Sequence, residues 1–157
     1  MKIWFVILAA AAMWLSTRLP FEKTDVAQLS PVNLILVEMT DGAVCISSDR
    51  GDIGVGDTLD EALEDMEQTC SGKIFLDTVD YVLLEGEAKI NCEELKEYFR
   101  PGTFLCSARG EIEPESAAGY LRGRKLTCTL GRQGSSLGML PVLEAVDGRY
   151  YYHGETG

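Results

Sequence analysis

The chain has 157 residues, 46% hydrophobic and 25% charged, a composition that excludes a disordered polymer and leaves room for one packed domain. Its formal net charge is -11, from 25 acidic and 14 basic residues. So acidic a surface repels phosphate backbones and argues against nucleic acid as a partner.

The N-terminus opens with Met1-Lys2 and an apolar run over residues 3–15. A short basic start leading into such a core is signal-like. No cleavage site follows Leu15, because Ser16-Thr17-Arg18-Leu19-Pro20-Phe21 lacks the small-residue spacing that cleavage needs. Residues 1–21 are therefore predicted to form an uncleaved hydrophobic helix, a signal-anchor. Cleavage would instead release a secreted domain, and a buried helix of a soluble protein is the other alternative. A span needs about 20 residues, reached only if Arg18 snorkels to the interface. Lys2 on one side and Arg18 and Lys23 on the other leave the direction to the signal-like order, which puts the domain on the extracytoplasmic side.

Residues 22–31 are polar, contain Pro31 and read as a tether to a domain at 32–153, with 154–157 a disordered tail. The apolar run 32–37 predicts an interior strand. Asp41-Gly42 predicts a hairpin returning through Ala43-Val44-Cys45-Ile46, followed by a polar, glycine-rich loop over 47–57. Thr58-Leu59-Asp60-Glu61 is a capping box, with Glu61 set to reach the Thr58 amide. Leu59, Ala62, Leu63 and Met66 then recur at helical spacing, and Gly72 supplies a stop. Short strands are expected at 73–76 and 81–84. A second helix capped by Asn91 should end at Pro101-Gly102, and a strand should follow at 103–108. Pro114 should open a third helix through Leu121, after which 126–130 alternates like a strand. A closing hairpin is expected at 141–152, turning at Asp147-Gly148. The sum is a single α/β (α+β) domain: a mixed sheet with two or three short helices, preceded by the hydrophobic helix.

Candidate chemistry is sparse. Cys45, Cys70, Cys92, Cys106 and Cys128 form no C-x-x-C pair, and the single His153 cannot complete a Cys/His zinc site. Their odd number and apolar settings point to buried thiols. The Gly51-Asp52-Ile53-Gly54-Val55-Gly56 stretch precedes a helix but lacks the Gly-Lys-Ser/Thr of a phosphate loop, and no cofactor motif is present. Asp49, Asp52 and Asp57 flank it as metal candidates, although their spacing fits no EF-hand. Ser135 has no nucleophile elbow around it, and only His153 could serve it as a base. Ser135 and Ser136, in a flexible loop, are better read as interaction candidates, together with Tyr150 and Tyr152 on the last strand. The basic cluster Arg122-Gly123-Arg124-Lys125 is expected at a helix end, where cations complement the dipole.

From about Gly54 to Leu121 the order of features resembles the N-terminal domain of the Ger(x)C family, the C subunits of spore germinant receptors. The parallel runs through Gly56-Asp57-Thr58-Leu59-Asp60-Glu61-Ala62, a paired-strand stretch at Ile74-Phe75-Leu76 and Tyr81-Val82-Leu83-Leu84-Glu85-Gly86, and a helix ending near Arg100. Phe104-Leu105-Cys106 and an Ala-rich helix from Ala117 to Leu121 complete it. That family is longer and is anchored through a lipobox cysteine, whereas the first cysteine here is Cys45. The resemblance implies a helix-anchored, single-domain relative acting by contact with a membrane or envelope protein, without catalysis. It carries over no functional residues. The expectation is thus a membrane-tethered, extracytoplasmic, non-enzymatic interaction domain linked to spore germination or sporulation. The alternative is an extracytoplasmic small-ligand or metal-binding domain using the acidic loop.

Overall fold

The computed structural model describes residues 29–85, 90–134 and 139–154. The segment read as an anchor, most of the tether, Ser135 and Ser136, and residues 155–157 lie outside the described residues. No helix among the described residues is long and apolar enough to cross a membrane.

Among the described residues, nine strands and three α-helices form one mixed α/β domain. The strands are β1 (Leu29–Pro31), β2 (Leu34–Thr40), β3 (Ala43–Ser48), β4 (Ile53–Gly56), β5 (Lys73–Phe75), β6 (Tyr81–Glu85), β7 (Phe104–Arg109), β8 (Val142–Val146) and β9 (Arg149–His153). The helices are α1 (Leu59–Thr69), α2 (Cys92–Tyr98) and α3 (Pro114–Arg122). Seven strands make one sheet in the order β4-β3-β2-β6-β7-β8-β9, while β1 and β5 pair separately. Neighbours among β2, β6, β7 and β8 are parallel, and β3, β4 and β9 are joined antiparallel.

Two packed layers explain the hydrophobic pattern. On one face Ile35, Val37, Ile46, Val82, Leu84 and Leu105 meet the apolar sides of α1 and α2. On the other, Leu34, Leu36, Leu83, Cys106 and Leu143 meet Ala117, Ala118 and Leu121 of α3. β2 is covered on both faces, and so four successive residues are buried. Both Asp-Gly turns have positive φ at both central residues: 53° and 87° at Asp41 and Gly42, 50° and 71° at Asp147 and Gly148. These are the primed turns whose twist matches antiparallel strands.

Helix starts follow their side-chain chemistry. The Glu61 amide donates to Thr58 Oγ1 at 3.2 Å, and the Glu93 amide to Asn91 Oδ1 at 3.1 Å. Glu61 itself reaches back one residue further than expected, accepting from the Asp57 amide at 2.8 Å. Helix ends come earlier than glycine and proline suggested, at caps Cys70 and Phe99.

Four other expectations are corrected. The loop 47–57 is a tight turn followed by the edge strand β4. Residues 126–130 form no strand: Thr129 makes one antiparallel bridge to Phe104, and Leu130–Arg132 turns into a 3-10 helix. β8 occupies the rest of that edge, so two short pieces share it. The segments 74–76 and 81–84 do not pair with one another, because β5 binds β1 while β6 joins the main sheet. The last three residues of the tether are β1 itself.

Candidate functional site

β4 inverts the usual arrangement of an amphipathic strand. Its glycines face the helix layer and its β-branched residues face out. Gly54 and Gly56 lie directly under α1: a Cβ on Gly54 would stand 2.0 Å from the Ala62 carbonyl oxygen. Only a bare backbone permits that approach. Ile53 and Val55 therefore point to the opposite face, 56% and 51% exposed. β3 alternates half-buried and buried residues for the same reason: one of its faces is covered and the other is not.

The uncovered half of the sheet is a surface with a defined order. In register across it run Val55, Cys45, Glu38 and Glu85, one from each of four neighbouring strands, and the row ends at Ala108 of β7, which is buried in the α3 layer. α3 walls it on the far side. Between α3 and the β3–β4 turn runs a groove of about 690 Å³, lined by Pro31, Asn33, Arg50, Glu113, Glu115 and Arg122 among others.

Glu38 and Glu85 stand side by side at the carboxyl ends of two parallel strands. Partial burial, then a hydrogen bond donated by the protonated Glu85 carboxyl to Glu38, then the Glu38 charge push Glu85 up to about 7. Below about pH 7 Glu85 therefore holds a proton that it directs toward Glu38. Cys45, opposite Glu38, is a thiol raised by burial and by that neighbouring carboxylate, which keeps it protonated and unreactive. The row can present a protonated acid, a carboxylate and apolar surface to a partner.

The edge beside this surface is closed. The outward Val55 amide donates to Asp65 Oδ2 at 2.9 Å, and Thr69 Oγ1 donates to the Ile53 carbonyl at 3.1 Å. Two α1 side chains thus occupy the backbone groups through which another strand would add.

The three acidic metal candidates do not converge. Asp49 accepts from the Asn33 amide at 2.9 Å, from Asn33 Nδ2 at 2.8 Å and from the Leu34 amide at 3.3 Å, fixing the start of β2. Asp52 accepts from Ser48 Oγ at 3.1 Å, holding the turn. Asp57 lies beyond β4, at the other end of the sheet. Among the described residues no group of three or more His, Cys, Asp or Glu side chains is placed to hold a metal ion. Cys45, Cys70, Cys92 and Cys106 are free thiols, and Cys128 Sγ accepts a hydrogen bond from Gln133 Nε2 at 2.9 Å.

Tyr150 and Tyr152 are half-buried against the α3 layer. The Tyr150 hydroxyl lies 3.2 Å from both the amide and the carbonyl of Glu113, and its ring sits 5.7 Å from that of Tyr120. Tyr151 is the exposed ring of the three. His153 faces Glu144 at 3.3 Å.

Sequence reasoning passed over Ile53, Val55, Glu38 and Glu85. The signal available was the alternation Ile53-Gly54-Val55-Gly56, which reads as a strand once the glycines are taken as the packed side. The Glu38–Glu85 pair depends on register between strands 47 positions apart and has no local signal. No family model, curated protein or solved structure matches the chain.

Proposed function

We propose that this chain is a membrane-tethered, extracytoplasmic, non-enzymatic interaction domain, and that the open half of its sheet is the docking surface. The outward placement of Ile53 and Val55 carries the reading. The close seat of α1 demands glycine on the core side of β4, but it does not demand apolar side chains on the solvent side, where Ile53 and Val55 stand. An apolar core ringed by polar groups is what a protein partner buries, and Glu38, Glu85, Arg50 and Glu115 supply that ring. The N-terminal apolar run supports delivery to a membrane, and the resemblance to Ger(x)C N-terminal domains supports a place in spore germination or sporulation.

Affinity purification of the full chain from detergent-solubilised membranes tests this. A stoichiometric membrane or envelope protein is expected with the parent and is lost with Ile53→Asp/Val55→Asp, whose fold should survive because both positions are exposed. Recovery of the parent only as a free monomer refutes the interaction reading. Undiminished recovery of the partner with the double variant moves the surface elsewhere.

A further inference from the structure

The charge of this acidic chain is polarised along its strands. Glu38 and Glu85 mark the carboxyl end of the parallel strands, where Asp41, Asp57, Glu113 and Asp147 also lie and outnumber Arg109 and Arg149. The amino end is different. Arg50 lies in the turn whose Asp49 amide bonds the Leu34 carbonyl. Lys73 is in register with Leu29, and Arg122 closes the groove beside Pro31 and Asn33. Arg124 and Lys125 follow the end of α3, while Arg132 is held there by the bond from the Gly131 amide to the Pro101 carbonyl. All six are exposed, and none closes an ion pair among the described residues. The acids of that end, Asp49, Asp52, Asp77 and Asp80, are fewer than its cations, and Asp80 is paired with a seventh, Arg100, at 3.1 Å.

Complementing helix dipoles accounts for Arg122, Arg124 and Lys125. It does not account for Arg50, Lys73 and Arg132, which sit on a β-turn, a strand and a 3-10 helix. What the six share is the end at which the chain enters the domain. Residues 22–28 between the apolar segment and β1 reach at most about 25 Å.

We infer that the amino end of the sheet lies on anionic lipid headgroups, so that the tether and the basic end together orient the domain with its acidic end outward. This rests on the proposed membrane tether. A planar anionic surface touches only the basic end, whereas a long flexible polyanion would meet the acids on the remaining surface. Basic side chains near an anionic bilayer contribute about 1 kcal/mol each, roughly fivefold in occupancy.

The full chain reconstituted into phosphatidylcholine vesicles, with or without a quarter phosphatidylglycerol, provides the test by flotation and by amide hydrogen exchange. Flotation with both lipids is expected. Exchange at residues 48–51 and 122–132 should slow about fivefold in the anionic vesicles only, while the 41–42 and 147–148 turns stay unchanged. The protection should vanish in 0.5 M salt and in Arg124→Glu/Lys125→Glu, with the urea midpoint of that variant as the control for folding. Flotation without lipid-dependent protection overturns the headgroup contact and leaves the tether standing. Absence of flotation overturns the tether and the inference with it. Protection by single-stranded nucleic acid in detergent, but not by anionic vesicles, assigns the face to a polynucleotide and also overturns it.

Discussion

Replacing Gly54 by alanine tests the tightest seat of a glycine among the described residues. The added Cβ would lie 2.0 Å from the Ala62 carbonyl oxygen and 2.7 Å from both the amide nitrogen and Cβ of Met66. These are backbone and stem atoms of a helix, so no side-chain rotation relieves the collision. To restore a contact of about 3.5 Å, α1 must back off by roughly 1.5 Å, loosening Leu59, Ala62, Leu63 and Met66 from the sheet. Overpacking of this kind costs about 1–3 kcal/mol, and a collision with main chain belongs at the upper end. Gly119 is the matched control. It lies inside α3 with nothing within 4 Å of an added Cβ, so Gly119→Ala should stabilise by about 0.5–1 kcal/mol. Urea unfolding of the detergent-solubilised full chain, followed by circular dichroism, should give midpoints that move in opposite directions. With a slope of about 2 kcal/mol per molar, Gly54→Ala loses about 1–1.5 M. A Gly54→Ala midpoint at or above that of the parent would show that α1 does not sit directly on the β4 backbone, and the explanation for the outward Ile53 and Val55 would go with it.

Two further outcomes follow from the same surface. The Glu85 carboxyl has a folded pKa of about 7 against an ordinary value of 4.5, so the folded state binds the extra proton between those limits. Its contribution to stability is therefore full below about pH 4.5 and is lost as pH rises through 7. Glu85→Gln should flatten the urea-midpoint profile between pH 4.5 and 8 relative to the parent and raise the midpoint at pH 8; parallel profiles would show that the two carboxyls do not interact. Asp65→Ala/Thr69→Val removes both side chains that occupy the β4 edge. Concentration-dependent self-association should appear in light scattering of the detergent-solubilised variant and not of the parent, and a strictly unchanged mass would mean that the edge is protected by something else.

Local chemistry was legible and long-range pairing was not. Thr58, Asn91 and Pro114 announce their helices through capping groups and a preset φ, and both Asp-Gly turns announce their hairpins. The stretch 126–130 misled because alternation reports one covered side, and Cys128 and Leu130 are covered by core packing rather than by a ladder. β4 was hidden because its packed side is glycine, which carries no hydrophobic signal. Sequence shows the charge of Asp49 and Asp52 but not the hydrogen-bond partners, Asn33 and Ser48, that occupy them. The alternation of three tyrosines leaves open which face the core takes, and the structure turns Tyr150 and Tyr152 partly inward and Tyr151 outward.

The small β1–β5 ladder has a mechanical consequence. Leu29, Ser30 and Pro31 are in register with Lys73, Ile74 and Phe75, and Thr78 Oγ1 lies 3.1 Å from the Val32 amide and 2.9 Å from its carbonyl. Beyond this clamp the chain runs straight into β2, the strand buried on both faces. A pull on the N-terminus must strip three residue pairs and the Thr78 bonds before any load reaches Asn33, so the clamp acts as a strain relief between the preceding chain and the sheet.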